Sequence, residues 1–147
     1  MLHEVAATPK PGLVDRNNCG AHADMDIFTF CTSASVLQPF FTKIAYEGSR
    51  FNGNNNTDLL KAIRPLGIEA EKRMFLATKG VNTHKGLIFS LGILISATAN
   101  ILSRKEKVTA EEICDLGSSM CRDIVKNELK NSNKISTNGE KLYQDYW

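Results

Sequence analysis

The chain has 147 residues, of which 42% are hydrophobic, and a formal net charge of +2. This length predicts one domain with a single hydrophobic core. The small charge and the scattered basic residues exclude the basic footprint of a nucleic-acid-binding protein. No apolar segment follows a basic start, so no signal peptide is indicated. The four cysteines lack zinc-type spacing, and a reduced, cytoplasmic protein is expected.

Apolar residues recur at helical spacing along the first half of the chain. Residues 2–7 are expected to be the end of a helix whose earlier turns are absent from this chain. Residues 26–47 carry an apolar stripe typical of a helix, which Pro39 should kink or interrupt. The next helix would be capped by Asn56 or Thr57 and broken near Pro65 and Gly67.

The most apolar segment, Leu87 to Leu102, follows in the second half. It is too short for a typical membrane span, so we expect a buried central helix over about Thr83–Leu102 and no membrane contact. Thr109 and Glu112 match a capping box that starts a helix reaching about residue 130. Residues 139–146 would begin another helix. The predicted fold is therefore all-α, a multi-helix bundle around the central helix, with residues 1–147 forming one domain.

A polar segment without apolar periodicity spans Thr8–Asp26. Its prolines and glycines predict a stiff, exposed loop, and Asp24 would cap the helix that follows. The loop presents cations that could hold phosphate and carboxylates that could hold a metal. This combination indicates a metal–nucleotide site, with these candidate residues: Lys10, Asp15, Arg16, His22, Asp24 and Asp26.

A second polar segment, residues 78–86, leads into the apolar helix. Thr83 is suited to cap that helix, and His84 and Lys85 would add donors in its first turn. Because helix N-termini attract anions, Asn82 to Lys85 are candidates for phosphate binding. The alternative is an ordinary surface loop with solvated lysines.

Each carboxylate also has a purely structural alternative. Asp24 could be only an N-cap, or could join Asp26 around Mg²⁺. Asp15 could be a turn residue or an ion-pair partner of its neighbour in the chain. Glu69 and Glu71 could belong to a solvated helix face.

Three stretches resemble one enzyme family: EVAATPKPGLVDRNNCGAHADMD, IEAEKRMFLATKGVNTHKGLIFSLGIL and NGEKLYQDYW. They are similar to the triphosphoribosyl-dephospho-CoA synthases, which make the prosthetic-group precursor of citrate lyase or malonate decarboxylase. The family fold is all-α. Family members are longer and continue into a G-x-R-G-E-A-type stretch, so the chain is expected to be truncated at both ends and to resemble the central part of the family domain.

The resemblance implies transfer of the triphosphoribosyl unit of ATP to the 2′-hydroxyl of 3′-dephospho-CoA, with release of adenine. It implies ATP and 3′-dephospho-CoA as partners, without nucleic acid or membrane. The chemistry favours Mg²⁺ on Asp24 and Asp26, and acid–base work by Asp15, Glu69 or Glu71. Substrate and phosphate contacts would come from the remaining candidates: Lys10, Arg16, His22, Asn82, Thr83, His84 and Lys85.

Two other functions stay open at this point. The chain could be a truncated, catalytically impaired helical fragment that binds a nucleotide or a partner, and the face left by missing segments could drive homo-oligomerisation or other association. It could also be a different all-α enzyme acting on phosphorylated ribose, such as an ADP-ribose hydrolase.

Overall fold

The computed structural model describes residues 1–122, and within this range all regular structure is α-helical. The helices are α1 (Leu2–Ala6), α2 (Ile27–Arg50), α3 (Asn56–Ala77), α4 (Lys85–Leu102) and α5 (Ala110–Cys121). The all-α prediction is confirmed. The predicted extension of the last helix to residue 130 and the predicted helix over residues 139–146 lie outside the described residues.

One core holds these helices together. Helices α2, α3 and α4 pack against one another, α5 packs against α3 and α4, and α1 packs against α2. Burying each large apolar side chain contributes roughly 1.5–3 kcal/mol, so this core supplies most of the stability. Its buried members are Leu37, Phe41, Ile44, Leu59, Ile63, Ala70, Met74, Ile88, Ile93, Ala97 and Met120.

The two internal prolines do not break their helices, so the predicted interruptions are wrong. Pro39 lies inside α2 and Pro65 inside α3, and both helices are continuous through them. Each proline removes a backbone hydrogen bond at a cost of about 3 kcal/mol. Buried side chains before and after each proline, such as Leu37 and Phe41 in α2, offset that cost through packing.

Three of the predicted helix caps are also wrong. Helix α2 is capped by Asp26, not Asp24, and Asp26 forms a reciprocal capping box with Thr29. Helix α3 is capped by the Asn55 side chain. The N-cap position of α4 is His84, and it makes no side-chain cap bond. The predicted capping box of α5, between Thr109 and Glu112, is confirmed.

Helix α4 contacts α2, α3 and α5, as expected for a central helix, but only 33% of it is buried. Phe89 and Leu94 are exposed on its outer side. Among residues 1–122 it is the one helix long and apolar enough to cross a membrane, with a mean hydropathy of 1.6. Core helices of soluble proteins meet the same criterion, so this property assigns no membrane span. The predicted single domain and the predicted association through an exposed face stay predictions.

Candidate functional site

The first polar segment is organised around the carboxylate of Asp15, which is 3% exposed. Its Oδ2 accepts hydrogen bonds from Thr8 Oγ1 at 2.7 Å and from the backbone N–H of Lys10 at 3.2 Å. Its Oδ1 accepts from the backbone N–H groups of Asn17 and Asn18 at 2.8 and 3.0 Å. The Thr8 hydroxyl, followed by these N–H groups, lowers the pKa of Asp15 to about 2. Asp15 therefore stays ionised at neutral pH, which suits a structural acceptor better than a proton donor.

Two glycines close the same loop. The N–H of Ala21 donates to the carbonyl oxygen of Gly12 at 3.1 Å, and Gly20 has a φ of +57°. A Cβ on Gly20 would lie 2.5 Å from the carbonyl carbon of Gly12. The loop therefore requires glycine at position 20, both for its backbone angle and for the close approach.

The second polar segment connects α3 to α4 and turns sharply at Gly80, whose φ is +90°. The Thr78 hydroxyl shares its one proton between the carbonyl oxygens of Met74 and Val81, which lie 2.8 and 2.6 Å from Oγ1. The hydroxyl thus pairs with a carbonyl oxygen in the last turn of α3 and with one in the segment that follows. These contacts hold the turn that leads the chain back to the core. As a result, His84 enters the core at the start of α4 and is only 5% exposed.

The two polar segments meet at one cavity of about 520 Å³. This volume lies within the usual range for small-molecule sites. Its apolar lining residues are Met1, Leu13, Val14, Met25, Phe30, Leu87 and Leu91. Its polar lining residues are Glu4, Lys10, His22, Asn82, Thr83 and His84. A smaller cavity of about 370 Å³ is lined by residues of α3 alone, between Lys61 and Lys72, and does not join the two segments.

Among residues 1–122, Lys10 is the lysine that lines this cavity, and its side chain is 16% exposed. Its Nζ donates to the backbone oxygen of Glu4 at 2.9 Å and to Glu4 Oε1 at 3.0 Å. Helix α1 thus holds a carboxylate beside the lysine. Among the described residues, Glu4 is the one carboxylate that lines the cavity.

A hydrogen-bonded chain joins two residues of the cavity lining, Thr83 and His84, through the buried Ser33. Thr83 Oγ1 donates to Ser33 Oγ at 2.7 Å, and Ser33 Oγ lies 2.7 Å from His84 Nδ1. The edge of Phe30 packs against the imidazole, with ring centroids 5.0 Å apart and an interplanar angle of 80°. Burial lowers the pKa of His84, although the nearby charge of Glu4 acts in the opposite direction. Burial therefore favours the neutral form of the imidazole.

Seven of the predicted site residues lie outside the lining of this cavity: Asp15, Arg16, Asp24, Asp26, Glu69, Glu71 and Lys85. Asp24 is still adjacent, since its Oδ1 lies 3.9 Å from Nδ1 of His22. Asp26 Oδ1 accepts from the N–H and hydroxyl of Thr29, which lowers the pKa of Asp26. Arg16 is exposed on the loop.

The two glutamates of α3 are both paired with cations. Oε1 of Glu69 accepts from Nε of Arg73 at 3.2 Å, one turn along the same helix. Oε1 of Glu71 lies 2.8 Å from Nζ of Lys85, which ties α3 to the first turn of α4. Neither carboxylate reaches the cavity, so the structure provides no position from which Glu69 or Glu71 could act on a ligand held there.

Two residues of the site are absent from the candidates chosen from the sequence. From the sequence alone Glu4 could face either the site or the solvent, and Ser33 was missed. Glu4 precedes the polar loop, and only the packing of α1 brings it to the cavity. The sequence pattern could have identified Ser33, because this serine lies three residues after Phe30 and four before Leu37, on the apolar face of α2. A polar residue on a buried face needs a hydrogen-bond partner, and that requirement points to a site.

Comparison with known proteins identifies the family of this chain. The family model for ATP:dephospho-CoA triphosphoribosyl transferase matches residues 1–146. A protein of Pectobacterium carotovorum, named probable 2-(5″-triphosphoribosyl)-3′-dephosphocoenzyme-A synthase, is 47% identical over 141 residues, covering 96% of this chain and 47% of its own length. Proteins of the same name from Citrobacter koseri and Vibrio cholerae are 44% and 43% identical, covering 98% and 99% of this chain.

The chain spans about half the length of these relatives, with 48% of the Citrobacter protein and 47% of the Vibrio protein matched. No solved structure matches it significantly. The family match extends over nearly the whole chain and includes both polar segments that form the cavity. The chain therefore belongs to the ATP:dephospho-CoA triphosphoribosyl transferase family.

Proposed function

We propose that this chain transfers the triphosphoribosyl unit of ATP to the 2′-hydroxyl of 3′-dephospho-CoA and releases adenine. The observation that carries the proposal is the convergence of both polar segments on one cavity, which Lys10, His22 and His84 line together with a carboxylate, Glu4. The names of the relatives and of the family supply the substrates. We place the enzyme in the cytoplasm, where both substrates occur.

In this reaction the bond between adenine and the anomeric carbon of the ribose breaks, and a bond to the attacking 2′-oxygen forms. The attacking hydroxyl loses a proton and the leaving adenine gains one. We propose that Glu4 accepts the proton of the attacking hydroxyl, because it is the carboxylate that lines the cavity among the described residues. Its charge would also stabilise the positive charge that develops on the ribose. We assign proton donation to His22, which lines the cavity and is partly exposed.

The triphosphate is retained during transfer, so its contacts serve binding and orientation. Lys10 would bind a phosphate oxygen, because its ammonium group lies at the cavity on a loop fixed by Asp15. The N-terminus of α4, with Asn82 and Thr83 beside it, would provide further donors. In this assignment Asp15 acts by shaping the loop, and Lys85 by linking α4 to α3.

We propose Mg²⁺ as the metal, held by Asp24 with Asp26 beside it. Residues 1–122 contain no group of three or more metal-ligating side chains. Mg²⁺ is commonly held by one or two carboxylates together with substrate phosphates, and the exposed carboxylate of Asp24 next to His22 fits that arrangement. When bound, the metal would neutralise phosphate charge.

Adenine release tests the proposed reaction. It is measured by HPLC in reactions that contain purified protein, ATP, Mg²⁺ and 3′-dephospho-CoA. Adenine that appears only with both substrates would establish the transferase. Thermal stabilisation by ATP without adenine release would instead support a nucleotide-binding fragment. Release of ADP-ribose from a conjugate, without any need for dephospho-CoA, would support the hydrolase alternative.

The double variant D24N/D26N tests the metal. Asn is as good an N-cap as Asp, so α2 keeps its cap and the melting temperature should stay near that of the wild type. We expect the Mg²⁺ concentration needed for half-maximal adenine release to rise about tenfold or more, as for the loss of charged metal ligands. The variant D115N, at an exposed position on α5, is the control. Full activity of the double variant at wild-type Mg²⁺ would overturn the metal role.

A further inference from the structure

The hydroxyl protons of Thr83 and Ser33 determine which nitrogen of His84 carries its proton. Each hydroxyl has one proton to donate. If Thr83 donates to Ser33 and Ser33 donates to His84 Nδ1, every hydroxyl proton in the chain has an acceptor. If Thr83 and Nδ1–H both donated to Ser33, the Ser33 proton would have no acceptor among the described residues. In the reverse direction Nδ1–H would donate to Ser33 and Ser33 to Thr83, and the Thr83 proton would have no acceptor among the described residues. The first arrangement places the imidazole proton on Nε2.

That arrangement leaves a strong donor without a partner. His84 Nε2 is buried and has no hydrogen-bond partner among residues 1–122. Buried N–H groups are nearly always paired, and each exception requires an explanation. His84 lines the cavity, so a ligand held there can supply the missing acceptor.

The start of α4 indicates the class of acceptor. His84 occupies the N-cap position, and the first turn of α4 contains no acidic residue. The backbone N–H of His84 donates to Met74 Sδ and that of Lys85 to Asn82 Oδ1, so the helix dipole and the N–H groups that follow them are what favour an anion here. A neutral Nε2–H adds a donor to this site without the desolvation cost of a buried charge.

We propose that Ser33 is a positioning residue that holds His84 as the neutral Nε2–H tautomer, and that this N–H donates to a phosphate oxygen of the bound triphosphate. The proposal rests on the proposed function for the identity of the ligand. The tautomer itself is a property of the protein alone. Ser33 does not touch the substrate; it acts through His84.

The test is NMR of the full chain labelled with ¹⁵N-histidine. Long-range ¹H–¹⁵N spectra distinguish the two neutral tautomers and the cation, and the variant H84Q identifies the His84 signals. We expect the Nε2–H tautomer at pH 7 in the wild type. Sodium tripolyphosphate, and separately ATP, should shift Nε2, whereas adenosine should not. A wild-type Nδ1–H tautomer or an imidazolium would overturn the proposal, and an Nε2 signal unmoved by both phosphate probes would overturn the phosphate contact.

The variant S33A tests the positioning role, and S35A, an exposed serine on the same helix, is its control. In S33A we expect a mixture of tautomers and ATP binding weakened about 5- to 30-fold, as for the loss of one well-placed hydrogen bond. S33T, which keeps a hydroxyl, should restore the tautomer. An S33A spectrum with the wild-type tautomer would overturn the role of Ser33.

The two proposals fail separately. If no adenine is released but the tautomer and its phosphate response are as expected, the reaction is wrong and the positioning role stands. If adenine is released and His84 has the other tautomer, the reaction stands and the positioning role is wrong. Should S33A not fold, the wild-type tautomer and S33T still decide the outcome.

Discussion

Nζ of Lys10 lies 3.0 Å from Oε1 of Glu4, and both side chains line the same cavity. The lysine is thus held in place by a carboxylate before any ligand arrives. A phosphate that binds Lys10 must share its ammonium group with Glu4. This pair links the two tasks we propose for the cavity, phosphate binding and proton transfer.

Replacing Lys10 with methionine should weaken ATP binding. A hydrogen bond to a charged group contributes about 1.5–3 kcal/mol, so we expect the Kd for ATP to rise roughly 10- to 100-fold. Calorimetric titration with ATP measures the change. The control is K107M, an exposed lysine in the turn between α4 and α5. If K10M bound ATP as tightly as K107M does, Lys10 would not be a phosphate contact.

Replacing Glu4 with glutamine should separate binding from catalysis. Glutamine is uncharged, so Lys10 keeps its bond to the backbone oxygen of residue 4 but no longer pairs with a carboxylate, and the KM for ATP should stay the same or fall. The loss of the proposed base should lower kcat by about 10²-fold or more. Steady-state adenine release gives both parameters, with the exposed Glu106 changed to glutamine as the control. A wild-type kcat in E4Q would exclude Glu4 as the base.

The sequence predicted the helices and one of their four caps. The capping box of Thr109 and Glu112 depends on residues three apart, and it was found correctly. Asp24 and Asp26 are equally good caps by residue type, and only the reciprocal bonds with Thr29 select Asp26. The effect of the prolines in α2 and α3 was predicted wrongly. Packing against residues far away in the sequence outweighs the loss of one backbone hydrogen bond at each proline.

The cavity could be predicted only in part, for the same reason. Both polar segments were recognised from composition, and Lys10, His22 and His84 do meet at one cavity. Glu4 reaches it through the packing of α1 on α2, and Ser33 through a contact 51 residues along the chain. No local pattern encodes such contacts. Conversely, Glu69 and Glu71 looked available in the sequence, and only the fold pairs them with Arg73 and Lys85.

The buried carboxylate of Asp15 predicts a particular pH dependence of stability. Its pKa is lowered from 3.8 to about 2 in the folded chain. Its contribution is therefore fully present above pH 3.8 and is lost as the pH falls from 3.8 to about 2. Urea unfolding between pH 2 and 7, followed by circular dichroism, should show this loss in the wild type.

The variant D15N isolates that contribution. The amide cannot accept all four hydrogen bonds, so D15N should be less stable at pH 7 and should lose less stability between pH 4 and 2. Asp26 and Glu112 also have lowered pKa values, so part of the pH dependence of stability will remain in D15N. D115N should retain the wild-type profile. A D15N curve parallel to the wild type would show that Asp15 is not the source.

The crossing of α2 and α4 depends on Gly48. A Cβ at this position would lie 2.5 Å from the backbone oxygen of Ser96, so G48A must push the two helices apart. Separation would also strain the hydrogen bond from Asn100 Nδ2 to the Gly48 oxygen, now 3.0 Å long. Overpacking of this kind costs about 1–3 kcal/mol, and we expect the free energy of unfolding to fall by at least that amount.

The matched control for this crossing is Gly67, inside α3. The nearest atom to a Cβ there is Ile88 Cγ2 at 4.0 Å, an ordinary contact. Alanine loses less backbone entropy on folding than glycine, so G67A should raise the free energy of unfolding by about 0.5–1 kcal/mol. Urea denaturation should show that the two variants change the free energy of unfolding in opposite directions. Equal stability of G48A and G67A would mean that the close approach of α2 to Ser96 does not set the helix spacing.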